Sequence, residues 1–234
     1  MKAMLLSEYK HLELQDLPNP IPGPDDVLVQ VAACGICGSD VGYAAVGGIA
    51  GPSDTPTPLG HEFSGVVHAV GDRVRGLAAG QRVIVDPSGD INMIGSGGEG
   101  ALAPYILVKQ VQSGPIVYPI PDALPHEQAA LTEPLSVSLH GVSRSGAKPG
   151  DKVVVFGTGC IGLGVVLFLK KKGVADIVVV DRSRGRLERA KALGADLVLH
   201  PDDGDIWEAI GARHGKGVLF GFPYVGTDVY LEVS

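Results

Sequence analysis

Two short stretches carry residues that could bind a metal. Cys34-Gly35-Ile36-Cys37-Gly38-Ser39-Asp40 follows an apolar run, and Gly60-His61-Glu62 comes further along. A Cys-x-x-Cys pair alone suggests a structural zinc. A four-thiolate site needs two more cysteines, however, and the chain has 3 in all, the last being Cys160. A thioredoxin-like redox pair is a poor fit as well, because no βαβ unit surrounds Cys34 and Cys37. A catalytic zinc needs three protein ligands and one open position, and one thiolate, one imidazole and one carboxylate suit it. Cys37, His61 and Glu62 supply that set, with Glu133 as a further carboxylate. The bland alternative for His61 is a core or surface histidine without metal.

A second chemistry sits at Gly157-Thr158-Gly159-Cys160-Ile161-Gly162, a G-x-G-x-x-G. Alone it would be weak, since 34 glycines in 234 residues produce such patterns by chance. Here a β-branched run at residues 153–156 precedes it and a helical pattern follows. A second apolar run, residues 177–180, then ends in Asp181, near the interval of about 20 residues expected for a carboxylate that grips an adenosine ribose. Each glycine answers a different demand. Gly157 allows the turn out of the strand, Gly159 lets a pyrophosphate approach the backbone, and Gly162 lets the helix pack close. The helix start offers free N–H groups and the positive end of its dipole to the phosphates. The motif predicts a dinucleotide site.

The elements that must position these residues fall into two halves. Residues 1–6 and 12–14 read as a hairpin, and residues 17–24 as a proline-rich turn. Strands follow at 27–33, 65–70, 82–85 and 105–108, separated by glycine-rich turns. Short, regularly spaced strands with few helices suggest a small, partly open β-barrel. After the glycine motif come a helix around Arg184–Lys191, a strand at 196–199 and a helix near 205–214, the alternation of a parallel α/β sheet. The expected domains are residues 1–140 and 141–234. A composition 45% hydrophobic and 19% charged, with a formal charge of −7, argues against nucleic acid or an anionic membrane as partner. No apolar run approaches the ~18 residues of a membrane span, and the N-terminus lacks a signal-peptide pattern. Few cysteines point to a reducing cytoplasm.

Gly-Ile-Cys-Gly-Ser-Asp, then Gly-His-Glu, then Glu133-Pro134-Leu135-Ser136-Val137, then the glycine fingerprint, resembles the zinc-dependent medium-chain dehydrogenases. The branch it resembles holds the polyol (sorbitol-type) and threonine dehydrogenases. The resemblance implies a GroES-like β-barrel catalytic domain followed by a Rossmann doubly wound parallel sheet, and oxidation of a secondary alcohol. It implies Cys37 and His61 as ligands of a catalytic zinc, with Glu62 and Glu133 as carboxylates that ligate it or exchange with water. Ser39 matches the hydroxyl that passes on the substrate proton, and Asp40 the carboxylate that orients the ligand histidine. Zinc would act as a Lewis acid on the alcohol, with hydride passing to the nicotinamide. Arg186 matches an arginine flanking the adenosine.

Three departures from the family pattern stand out. Residues 86–100 contain no cysteine or histidine where many members hold a structural zinc, so one catalytic zinc and no structural zinc are expected. That stretch reads as a loop near the cleft mouth or as a plain surface loop. Gly42 stands where many members have the histidine that ends the proton relay, and Tyr43 or bulk water could take that part. Residues 229–233 read as a fourth strand close to the last residue, so the second half of a six-stranded sheet is expected to be missing.

Asp181 favours NAD, since its charge repels a 2′-phosphate, while Arg182, Arg184 and Arg186 crowd the next turn and keep NADP open. The leading reading is a zinc- and NAD-dependent oxidoreductase acting on a small-molecule alcohol, polyols before hydroxy-amino acids. A homo-oligomer stays open. The rival readings are a non-catalytic dinucleotide-binding module and a zinc-free reductase of the same superfamily.

Overall fold

The computed structural model describes residues 1–8, 11–88, 91–114 and 116–215. The chain divides into two compact units, Met1–Glu133 and Pro134–Ser234. In the first, the strands are β1 (Lys2–Glu8), β2 (His11–Asp16), β3 (Val27–Cys34), β4 (Thr57–Pro58), β5 (Phe63–Val70), β6 (Arg82–Val85), β7 (Tyr105–Val108) and β8 (Val117–Pro119). They form two antiparallel sheets, ordered β2-β1-β4 and β7-β3-β5-β6-β8. The expected hairpin and the four expected strands are all present.

Alternation builds the core of this unit. Val27 and Val29 of β3, Val83 and Val85 of β6, and Ile106 and Val108 of β7 meet Phe63 and Val67 in one cluster. Side chains two apart on a strand share a face, so each pair arrives together. Each such side chain stabilises the fold by about 1.5–3 kcal/mol when fully buried. The register that satisfies this core also places the metal-type residues. Cys34 at the end of β3 pairs with Phe63 at the start of β5. The Gly35 N–H donates to the Glu62 carbonyl at 2.7 Å, bringing the Cys37 loop beside His61-Glu62.

A helix that the strand pattern did not suggest, α1 (Gly38–Val46), starts directly after Cys37. Gly38, Gly42 and two valines make a weak helical sequence. The ends compensate. The Asp40 carboxylate reaches back to the Cys37 N–H at 2.9 Å, and Gly47, at φ 87°, closes the last turn through its N–H to the Tyr43 carbonyl. Two more helices follow, α2 (His126–Ala129) and α3 (Thr132–Arg144), the latter belonging to the second unit from Pro134 onward.

The second unit runs β9 (Lys152–Phe156), α4 (Cys160–Lys172), β10 (Asp176–Val180), α5 (Arg184–Ala192), β11 (Leu197–Leu199), a short 3-10 turn at Pro201–Asp203 and α6 (Ile206–His214). The strands are parallel, in the order β11-β10-β9. Val153, Val155, Ile177 and Val179 pack with Val165, Val166 and Leu169 of α4 and with Leu187 and Ala190 of α5. Val154, Val178 and Val180 pack on the opposite side with Ile210 of α6. Cover on both faces explains why β9 and β10 are unbroken apolar runs rather than alternating ones. The strand expected at residues 229–233 and the connection at 216–227 lie outside the described residues. Among the described residues no helix is long and apolar enough to cross a membrane.

Candidate metal centre and dinucleotide site

Cys37, His61 and Glu62 come together. One ligand atom from each lies within 4.8 Å of the others, with Glu62 buried and Cys37 and His61 half-buried. No other group of three such residues that could hold a metal occurs among the described residues. Asp40, 3% exposed, organises the site from behind. Its Oδ2 accepts from the Cys37 N–H and its Oδ1 accepts from the Gly60 N–H at 3.1 Å, so one carboxylate joins both ligand-bearing segments. The same Oδ1 stands 3.8 Å from His61 Nδ1, and that buried nitrogen has no hydrogen-bond partner. Buried polar atoms are rarely left so.

The electrostatics fit a cation. The His61 imidazole is pulled toward its charged form by its hydrogen bond with Cys37; burial opposes this, and the charges of Cys37, Asp40 and Glu133 reinforce it. Glu133 lies within reach of the same field but outside the three-ligand cluster. Burial pushes its carboxyl up, His61 works against that, and the charges of Glu62 and Asp86 add to it. Cys34 takes no part in the cluster. Burial, then the charges of Asp40 and Glu62, push its thiol up to about 12, so it stays protonated. A partly buried donor set of sulfur, nitrogen and oxygen with an orphaned imidazole nitrogen suits zinc.

Residues 91–100 pack against this centre. Gly95 has φ +68°, and a Cβ there would stand 2.8 Å from His61 Nδ1. The loop is anchored by Asn92, whose side chain exchanges two hydrogen bonds with the Lys109 backbone, and by a Glu99–Lys109 ion pair at 2.9 Å. Ser39 is half-buried in the first turn of α1. Gly42 is exposed, and a Cβ on it would meet nothing within 4 Å.

In the second unit the glycine motif forms the turn between β9 and α4. Gly157 has φ +85°, a Cβ on Gly162 would run into the Gly157 carbonyl, and a Cβ on Gly159 would meet open space. Space over Gly159 is what a close-lying pyrophosphate needs. Cys160 and Ile161 open the helix. Asp181 follows β10, and its Oδ2 accepts from the Thr158 N–H at 2.6 Å and the Thr158 hydroxyl at 2.9 Å. Its Oδ1 accepts from the Ser183 N–H at 2.7 Å. Burial alone would raise this carboxyl, but the Thr158 and Ser183 amides, the Thr158 hydroxyl and then the Arg186 charge outweigh it, and it lies below the usual carboxylate range.

The sequence reading named Asp40 and Thr158 but missed three contacts at the two sites. The Asp40 bond to Gly60 and the contact of Gly95 with His61 join residues far apart in sequence and leave no local signal. The Thr158 hydroxyl could have been noticed, since a threonine in the second position of the glycine motif faces the end of the next strand.

A candidate Cys-His-Glu metal centre in one unit and a glycine turn of the dinucleotide-binding type in the other point to a class. Residues 23–122 match the alcohol dehydrogenase GroES-like domain and residues 160–234 the zinc-binding dehydrogenase family. The chain belongs to the zinc-dependent medium-chain dehydrogenases, with a GroES-like domain followed by a Rossmann domain. Among its relatives, the (R,R)-butanediol dehydrogenase of Neisseria gonorrhoeae is 37% identical over 99% of this chain and 73% of its own length. Human sorbitol dehydrogenase is 39% identical over 80% of this chain and 57% of its own. A solved zinc-binding dehydrogenase from Sinorhizobium meliloti 1021, bound to NADP, superposes with a TM-score of 0.81 at 33% identity, covering 94% of this chain and 69% of that one.

Proposed function

We propose that this chain oxidises a secondary alcohol of a vicinal diol or polyol, with NAD as hydride acceptor, at one zinc held by Cys37, His61 and Glu62. The observation that carries the reading is the three-ligand cluster with the unpartnered His61 Nδ1 turned toward Asp40. The diol preference is supported by the kinship with butanediol and sorbitol dehydrogenases. Residues 86–88 and 91–100 offer no thiolate or imidazole, which supports a single zinc.

Zinc would supply Lewis-acid polarisation of the alcohol. Asp40 fixes the Cys37 and His61 segments, and its charge supports the imidazole as a ligand. Ser39, two residues past Cys37, would accept the alcohol's proton on its Oγ as its own hydroxyl proton passes to the next acceptor. The next acceptor is Tyr43 or solvent, because Gly42 carries no side chain and faces open space. Glu133 exchanges with water beside the ligands. On the cofactor side, Gly157–Gly162 cradle the pyrophosphate, Asp181 accepts from a ribose hydroxyl, and exposed Arg186 flanks the adenosine. Asp181 is held ionised by three donors, and its charge beside the 2′ position supports NAD over NADP. A chain with only 3 cysteines and no disulfide among them supports a reducing cytoplasm.

The test joins elemental analysis, calorimetry and a diol and polyol panel. About one zinc per chain, lost in Cys37→Ser, together with NAD binding and diol-dependent NADH formation, is expected. A folded sample with no zinc, or with zinc and NAD but no turnover on any diol or polyol, sinks the reading.

A further inference from the structure

The turn that follows Asp181 is tied to the turn after β11 at two points. His200 Nε2 lies 2.9 Å from the Arg182 carbonyl, and His200 Nδ1 accepts from the Asp202 N–H at 3.2 Å. A carbonyl can only accept and an amide N–H can only donate, so the ring proton sits on Nε2. The second tie is bidentate. Arg184 Nη1 and Nη2 donate to Asp203 Oδ2 and Oδ1 at 2.9 and 2.7 Å.

Two of the three arginines of the turn are thereby told apart. The Arg186 charge acts on Asp181. Arg184, although it opens α5 beside the ribose end of β10, has its planar fork committed to Asp203. A guanidinium fork is the side chain best matched to a phosphate, and it cannot serve two bidentate partners at once. Asp181 keeps one lone-pair position on Oδ1 after its three donors are counted, enough for one ribose hydroxyl.

We propose that Asp203 is a specificity-determining residue for the cofactor: by holding Arg184 it withholds from a 2′-phosphate the guanidinium that would meet it, and so adds to the preference for NAD over NADP. The inference rests on the NAD reading above and extends it from Asp181 to a residue beyond the next strand. The pair is exposed, with side chains 61% and 56% accessible, so breaking it leaves the fold intact. The same exposure caps the effect, because a solvated ion pair holds its members weakly.

The experiment is calorimetry on the full chain with NAD, and displacement of NAD by NADP, for the unaltered protein, Asp203→Asn, and Asp203→Asn with Arg184→Ala. Asp203→Asn should bind NADP roughly fivefold more tightly, with NAD affinity within about twofold. Adding Arg184→Ala should return NADP to its original affinity. Unchanged NADP affinity in Asp203→Asn, or a gain that survives Arg184→Ala, overturns the inference while NAD binding leaves the cofactor reading standing. If the unaltered chain binds neither dinucleotide, both fall together.

Discussion

Asp40 Oδ1 lies 3.8 Å from His61 Nδ1 while held by the Gly60 N–H, so the carboxylate beside the candidate metal centre is fixed by backbone. One residue thereby caps the helix that begins after Cys37 and anchors the strand entry that presents His61.

Asp40→Ala should therefore act on stability and on metal affinity together. It leaves the Cys37 and Gly60 N–H groups without acceptors in a buried place, at a cost of about 2 kcal/mol. Zinc affinity should fall by roughly 10–100-fold. Urea unfolding and competition with a chelator measure the two. Zinc affinity equal to that of the unaltered protein would mean that Asp40 is only a helix cap.

Gly95→Ala tests the loop over the centre. The position has φ +68°, and the new methyl would press on the His61 ring. Gly76→Ala is the control, since Gly76 has φ +78° but open space around it. Both variants carry backbone strain of about 1–2 kcal/mol. Only Gly95→Ala should weaken zinc binding as well. Equal zinc affinity in the two variants would show that residues 91–100 do not position the imidazole.

Thr158→Val removes the buried hydroxyl that donates to Asp181 and keeps the shape. A hydrogen bond to a charged acceptor contributes about 1.5–3 kcal/mol, so NAD affinity should fall by about tenfold as Asp181 loses its orientation. Thr158→Ser should retain binding. Calorimetry with NAD on both variants decides, and a serine variant as weak as the valine one would point to packing instead.

Acid should loosen the second unit through Asp176. Its carboxyl is held below the ordinary value of 3.8 first by the hydrogen bond from Arg213; burial opposes this, and the Arg213 charge and His214 add to it. A carboxyl lowered on folding gives stability that is complete above the ordinary value and disappears as pH falls through the folded one. Asp176→Asn should melt at a lower temperature than the unaltered protein at pH 7. The gap should stay open at and above the ordinary carboxyl value of 3.8 and close only as the pH falls below it. A gap independent of pH would assign the loss to packing.

The sequence by itself determined the two chemistries and most of the strands. Gly157–Gly162 between an apolar run and a helix, with Asp181 beyond, is a local pattern, because a dinucleotide turn is built from one contiguous strand–turn–helix. The β-strands were legible for the same reason, since alternation is a property of neighbouring residues. Cys37, His61 and Glu62 could be nominated by type alone. What the tertiary structure decided was which of them meet. The pairing of Cys34 with Phe63 brings the Cys37 and His61 segments together, while Cys34, kept as a thiol, and Glu133 stay outside the cluster. The helix α1 was hidden because its stability comes from its ends rather than from its propensity. The hold of Asp203 on Arg184, and of Asp40 on Gly60, link residues brought near only by strand order and register, and no spacing along the chain encodes such contacts.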